Sequence, residues 1–355
     1  MEKELRLMKG NEAIAEAAIR AGADGYFGYP ITPQSEIIEY LMEANPYERT
    51  GMVVLQAESE LAAINMVYGG AGCGKKVLTT SSSPGISLMQ EGLTYIAGAE
   101  LPCLVVNVVR GGPGLGTIQP SQSDYFQAVK GGGHGDYHLI VLAPASVQEM
   151  ADFVELGFDL AFKYRNPVMI LSDGAIGQMM EKVWLGPQKE RSKSVPEWAT
   201  TGKPPSRERN IITSLELDPF RQEVFNRKLV KKYNEIKEKE VRYEEHYCDD
   251  ADFILVAYGT CARVCQKSVE MARAQGIKAG LLRPVTLFPF PSQRINELAG
   301  KARLFLTVEM SAGQMVEDVI LSVNGKKPVH FYGRMGGMIP SPDEVVEKLK
   351  EIINE

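Results

Sequence analysis

Two hydrophobic periodicities alternate along the first half of the chain. Ala13, Ile14, Ala17, Ala18 and Ala21 recur at helical spacing, and Gly22 can end that helix. Short apolar runs predict strands at residues 26–29, 52–55 and 77–80, with helices at 59–68 and 86–97 between and after them. Residues 101–109 are rich in β-branched side chains and read as a strand buried on both faces. Two more strands are predicted at 138–142 and 167–171, separated by a helix over 147–162. Thr32-Pro33 reads as a helix start, with Thr32 as N-cap and Pro33 at the first helical position. Ile37, Ile38, Leu41 and Met42 give that helix its apolar stripe. Strands without polar alternation, joined by long helices, predict a parallel sheet covered on both sides.

The pattern stops near Gly186. Residues 187–220 are rich in Pro, Ser, Thr, Lys and Arg and carry no period. Residues 221–245 are highly charged, with Val224, Phe225, Leu229, Tyr233 and Ile236 spaced for one helical face, as in a solvated connecting helix. A second α/β pattern starts at Asp252. Its strands are predicted at 253–257, 279–282, 304–308 and 329–331, and its helices at 262–274, 292–298, 314–323 and 343–353. The expected domains are therefore 1–186, a connection over 187–250, and a smaller α/β domain over 251–355.

Composition narrows the function classes. The 355 residues carry 39 Lys and Arg against 45 Asp and Glu, a net charge of −6. That balance argues against nonspecific binding to nucleic acid or to an anionic membrane surface. The N-terminal MEKELRLMKGNEA is charged and predicts no signal peptide. Five cysteines, an odd and small number, fit a reducing cytoplasm better than a disulfide scaffold. Their spacing suits neither a zinc site nor an iron–sulfur cluster, and no metal ligand set is predicted in this chain.

Four segments lie just after predicted strands: GYPITP at 28–33, QAESEL at 56–61, TTSSSPG at 79–85 and RGGPGLG at 110–116. In parallel α/β sheets ligands bind at the carboxyl ends of strands, so the four loops predict one site. The glycine-rich loop lacks both the GxGxxG spacing and a GK[ST] ending, and reads as a turn-rich loop or an incomplete phosphate loop. Arg110 beside it can present a bidentate fork to a carboxylate or phosphate, or can be an ordinary surface arginine. The N-cap role of Thr32 is compatible with an anion at the same helix end. Glu58 and Glu60 fit first-turn stabilisation, and either could instead be a catalytic acid. His134, in a GGGHG loop, is the one histidine in a site-like setting.

GYPITPQSEI, QAESELAAINMVYGGAGCGKKVLTTSSSPGISLMQEGL and VRGGPGLGTIQPSQSDYF together resemble the alpha-type chain of 2-oxoacid:ferredoxin oxidoreductases, which depend on thiamine diphosphate and coenzyme A. Tyr258-Gly-Thr, LLRPVTLFPFP and VEMSAGQM are similar to the transketolase C-terminal-like domain of the same family. The resemblance covers nearly all of the chain outside 187–250. It points first to the branched-chain 2-oxoisovalerate branch, with the 2-oxoglutarate and pyruvate enzymes as near relatives.

The resemblance implies a pyrimidine-binding parallel-sheet domain followed by the smaller domain. It implies that Glu60, rather than Glu58, meets N1′ of the aminopyrimidine and helps to generate the reactive C2 carbanion. Tyr29, Pro30, Ile31, Ser83 and Pro84 would line the cofactor, Thr32 and Arg110 would hold the 2-oxoacid, and the 121–124 segment would lie on the same face. The sequence carries no Gly-Asp-Gly diphosphate motif with its following Asn pair. Mg²⁺ and the diphosphate are therefore expected on a beta-type partner. Iron–sulfur clusters are expected on further subunits, including a gamma-type one, with ferredoxin as electron acceptor in a dimer of heteromers. A nucleotide-dependent α/β enzyme and a non-catalytic assembly subunit are the competing classes.

Overall fold

The computed structural model describes residues 3–354. Seven strands form the first sheet, in the order Thr286–Phe288, Ile140–Leu142, Pro167–Asp173, Cys103–Val109, Val77–Ser81, Gly25–Gly28 and Val53–Gln56. All neighbours pair in parallel except the first, which runs antiparallel to Ile140–Leu142. Cys103–Val109 and Pro167–Asp173 are buried along their whole length, as their unbroken apolar runs require. Glu60–Gly72 and Ser83–Gly98 pack on each other, and Gly10–Arg20 packs against Ser35–Ala44 and Val147–Tyr164. A separate antiparallel pair joins Glu4–Lys9 to Met180–Leu185.

The second sheet has the order Val329–Gly333, Leu304–Glu309, Phe253–Val256, Ala279–Pro284 and Tyr243–His246. Only the last strand is antiparallel. The predicted strands and helices of this half are all present. The elements that the hydrophobic pattern misses are four peripheral strands, Glu4–Lys9, Met180–Leu185, Tyr243–His246 and Thr286–Phe288, and three five-residue helices, Pro46–Thr50, Tyr125–Val129 and Gly174–Gln178. Each is short, and Tyr-Glu-Glu-His carries no apolar alternation.

The predicted helix start at Thr32-Pro33 differs from the structure. The chain first turns, with Gln34 N–H donating to the Ile31 carbonyl, and the helix begins at Ser35. The N-cap position falls on Gln34, which makes no side-chain cap bond, so Thr32 does not cap. In the connection, Arg191 reaches Asp24 and the Gly51 carbonyl, and Thr200 reaches the Gly72 carbonyl. Asp24 and Gly51 precede strands, so this segment runs along the amino ends of the sheet. The charged helix Pro219–Lys239 starts at Asp218, whose carboxylate accepts from Phe220 N–H. It buries Leu229, Tyr233 and Ile236, while Val224 faces solvent.

The two halves meet through buried polar groups. Gln122 donates through Nε2 to the Tyr258 carbonyl (2.8 Å) and accepts through Oε1 from Met310 N–H (3.0 Å). Asp173, fully buried at the end of its strand, accepts from Thr260 Oγ1 (2.7 Å) and from the N–H groups of Ala175 and Ile176. Burial raises its pKa. Tyr125 donates to Asp318 (2.6 Å). No helix among the described residues is long and apolar enough to cross a membrane.

Truncating Gln122 to Ala strands the buried Met310 N–H and removes one of the two bonds to the Tyr258 carbonyl, which keeps Ala262 N–H, so Gln122→Ala is expected to destabilise the chain by about 2 kcal/mol. Urea unfolding should show a lowered midpoint; a midpoint equal to that of the parent would mean that the two halves dock by other contacts.

Candidate active site

The four loops singled out in the sequence follow four strands that are neighbours in the sheet. Val53–Gln56 leads to Glu58 and Glu60, Gly25–Gly28 to the Tyr29–Pro33 turn, Val77–Ser81 to Ser83 and Pro84, and Cys103–Val109 to Arg110. Parallel pairing places all four at one edge.

Ser59 caps the helix Glu60–Gly72 by accepting from Ala62 N–H (3.2 Å). The cap points the next side chain, Glu60, inward, where it is 6% exposed, whereas Glu58 lies on the surface. The Glu60 carboxyl abuts the first turn of the neighbouring helix at Gly85. A Cβ on Gly85 would stand 2.5 Å from Glu60 Oε1 and 2.0 Å from Ser81 Oγ. No donor among the described residues reaches the Glu60 carboxylate. Ser81 Oγ, which the same Cβ would meet, is buried there without a partner, and Thr79 Oγ1 and Ser82 Oγ of the same chain segment are likewise buried and unpartnered.

Arg110 is 8% exposed. Its Nη1 donates to the Thr32 carbonyl (3.0 Å) and its Nη2 to the Leu115 carbonyl (3.1 Å), while Nε has no partner. The guanidinium thus braces the Tyr29–Pro33 turn against the glycine-rich loop, and it pairs with no carboxylate among the described residues. The Thr32 side chain is exposed, and Tyr29, Pro30 and Ile31 are half-buried. The Pro33 carbonyl accepts from Asn11 Nδ2 (2.7 Å) and Gln178 Nε2 (3.0 Å).

Ser83 stitches its helix to the strand end beside Arg110. Its hydroxyl accepts from Arg110 N–H (3.1 Å) and donates to the Arg110 carbonyl (3.2 Å). Ser83 N–H donates to Asn107 Oδ1, and Asn107 Nδ2 donates to Asp124 (2.9 Å). Burial raises the pKa of the Asp124 carboxyl. Of the 121–124 segment, Asp124 faces this cluster, while Ser121 and Gln122 turn to the second domain. Asn107 was legible: it is the one amide in an otherwise apolar strand.

His134 is not brought into this cluster. Its ring lies edge-on to Tyr95, and its carbonyl accepts from Thr94. Thr94 sits eleven residues along the helix from Ser83, or about 16 Å away at 1.5 Å per residue. Two clefts of about 720 and 790 Å³ open elsewhere, lined by Glu149, Arg263 and Arg283 in one and by His138, Lys237 and Arg294 in the other. Neither is lined by Glu60 or Arg110. Among the described residues no group of three or more His, Cys, Asp or Glu side chains is placed to hold a metal ion.

Residues 16–248 match the model of the pyruvate flavodoxin/ferredoxin oxidoreductase thiamine diphosphate-binding family. The chain belongs to this family. Residues 251–345 match core domain II of pyruvate:ferredoxin oxidoreductase. Over 351 residues the chain is 51% identical to the ketoisovalerate oxidoreductase subunit VorB of Methanothermobacter thermautotrophicus, covering 99% of this chain and 98% of that one. It superposes with a TM-score of 0.86 on the 2-oxoglutarate:ferredoxin oxidoreductase from Magnetococcus marinus with 2-oxoglutarate, coenzyme A and succinyl-CoA bound. The two are 28% identical, and the match covers 99% of this chain and 66% of that one. A split gene transketolase shares the fold, with a TM-score of 0.62 at 14% identity and 98% of both chains covered.

The raised pKa of Asp124 has a measurable consequence. A carboxyl raised above its unfolded value of about 3.9 is stabilising when protonated, and that contribution is lost as pH rises through the folded value. Relative to Asp124→Asn, which does not titrate, the parent chain should therefore gain thermal stability as pH falls from about 7.5 to about 4.5. A difference in melting temperature that stays constant over this range would show that Asp124 does not titrate differently in the folded chain.

Proposed function

We propose that this chain is the subunit of a 2-oxoacid:ferredoxin oxidoreductase that supplies the aminopyrimidine half of the thiamine diphosphate site and the cradle for the 2-oxoacid carboxylate. The observation that carries this reading is the buried Glu60 carboxyl, which faces the side-chain-free Gly85 and has no donor of its own chain. A largely buried carboxyl with no protein donor has its oxygens free for a ligand donor. A ring nitrogen that shares a proton with it fits this need, and the hydroxyls of Ser81 and Ser82 offer further polar contacts. Thiamine diphosphate, when bound, supplies a carbanion that attacks the ketone carbon of the oxoacid. The part of this chain is to hold a proton at Glu60, to wall the ring with Tyr29, Pro30, Ile31, Ser83 and Pro84, and to orient the substrate.

Arg110 supports the carboxylate cradle. Its guanidinium is buried, charged and compensated only by two neutral carbonyls, with Nε left open. An entering carboxylate would provide the missing anion, which selects a free acid over an ester. Thr32 lies beside it in space, its carbonyl held by Arg110. The identity of 51% to a ketoisovalerate oxidoreductase subunit, against 37% to the 2-oxoglutarate synthase subunit KorA of Methanothermobacter marburgensis, favours 2-oxoisovalerate as the acid. Coenzyme A would take the acyl group. Mg²⁺ and the diphosphate would be held by a beta-type partner, and iron–sulfur clusters on further subunits would pass electrons to ferredoxin, in a cytoplasmic dimer of heteromers.

In the reconstituted complex, Glu60→Gln is expected to lower turnover by at least about a hundredfold, the usual contribution of a positioned proton-transfer group, with subunit assembly unchanged. Glu58→Gln is the control and should keep parental turnover; parental turnover in Glu60→Gln would sink the assignment. Removing the Arg110 fork should act on substrate affinity. Arg110→Ala is expected to raise the KM for 2-oxoisovalerate about thirtyfold or more, as expected for a lost charge-assisted hydrogen-bond pair. An unchanged KM would reject the carboxylate role, and assays with 2-oxoglutarate and pyruvate place the side-chain preference.

A further inference from the structure

A chain of buried polar side chains runs from the sheet interior to the turn that Arg110 braces. Tyr26, Thr80 and Gln34 are each fully buried. Tyr26 OH lies 2.8 Å from Thr80 Oγ1, and Thr80 Oγ1 donates to Gln34 Oε1 (2.6 Å). Gln34 Nε2 then donates to the Tyr29 carbonyl (3.0 Å). The directions are fixed. The Tyr29 carbonyl can only accept, so the Gln34 NH2 must face it and Oε1 must face Thr80. A threonine hydroxyl has one proton, which goes to Gln34, so Tyr26 is the donor to Thr80.

Three polar side chains in a core are costly unless every bond is made, and here each link orients the next. The last link lies in the turn of the proposed substrate cradle. Gln34 holds that turn at Tyr29, and Arg110 holds it three residues later at Thr32. The Arg110 guanidinium takes its direction in part from the Thr32 carbonyl, and the position of that carbonyl depends on the turn.

We infer that Gln34, oriented by Thr80 and Tyr26, is a positioning residue for the oxoacid site, setting the Tyr29–Thr32 backbone that aims Arg110. The inference rests on the reading of Arg110 as the carboxylate-binding residue. A purely structural chain would add stability and nothing more, so the test must separate affinity from stability.

Gln34→Met keeps the length of the side chain and removes both of its hydrogen bonds. Thr80→Val keeps the shape and removes the hydroxyl. The two break the chain at different links, so a folding failure of one leaves the other informative. Thr80→Ser restores the hydroxyl and is the conservative rescue. Each is introduced into the assembled multi-subunit enzyme and assayed with 2-oxoisovalerate beside Arg110→Lys. The expected result is a KM raised roughly five- to tenfold in Gln34→Met and Thr80→Val, the equivalent of one lost hydrogen bond, with a smaller fall in kcat and near-parental KM in Thr80→Ser. Arg110→Lys should raise KM as well. If Arg110→Lys raises KM while an assembled Gln34→Met or Thr80→Val stays within about twofold of the parent, too little for a lost hydrogen bond, Gln34 is structural only and the inference is overturned. If Arg110→Lys leaves KM unchanged, the reading of the carboxylate site itself fails, and the inference fails with it.

Discussion

A buried guanidinium without an anion is the constraint around which the site edge is arranged. Arg110 sits at the end of a fully buried strand, where desolvation disfavours its charge. Guanidinium cannot shed its proton, so the fold must solvate it. It does so with two carbonyls from separate loops, those of Thr32 and Leu115. Neutral dipoles solvate a cation without neutralising it, and the guanidinium stays without a carboxylate partner. The same two bonds fix the spacing between the Tyr29–Pro33 turn and the glycine-rich loop. Solvating the arginine and shaping the loops are thus one requirement.

The second domain contributes to that arrangement from behind. Asp173 ends the strand next to that of Arg110, and it accepts from Thr260 of the second domain and from the first N–H groups of the short helix Gly174–Gln178. Gln178 at the far end of that helix donates to the Pro33 carbonyl. Gln122, a few residues beyond the glycine-rich loop, is clasped by Tyr258 and Met310. Both loops held by Arg110 are therefore anchored to groups that the second domain holds. Each anchor is buried and hydrogen-bonded, which makes it rigid in the sense that breaking one bond strands its partner in a dry interior.

The sequence made the scaffold legible where physics acts locally. Unbroken β-branched runs such as 103–109 can be satisfied only by burial on both faces, so the parallel sheet could be read directly. The four loops followed, because strand ends and glycine clusters mark them. What stayed hidden depends on contacts between distant residues. Thr286–Phe288 crosses from the second half to pair with Ile140–Leu142, and three residues carry no period of their own. The start of the helix after Pro33 was misplaced because Gln34, Asn11 and Gln178 hold the turn open, and no local rule shows a side chain arriving from residue 178. The division between Glu58 and Glu60 was beyond local reasoning for the same reason. Both suit a first helical turn, and it is the approach of Gly85 from another helix that makes a place for one of them.

The distribution of unsatisfied polar atoms carries the reading of the site one step further. Eleven buried side-chain atoms among the described residues lack a partner, and four of them belong to Thr79, Ser81, Ser82 and Arg110, in or just after two adjacent strands. Unpaired buried groups cost about 1–3 kcal/mol each, and a fold under selection for stability alone would replace these serines by alanine at little cost in volume. Their concentration beside Glu60 and Arg110 fits a surface whose partners arrive with ligand and neighbouring subunit. The stability that this chain forgoes at one edge is what a ligand-binding edge costs, and it fits the proposed division of the cofactor site between subunits.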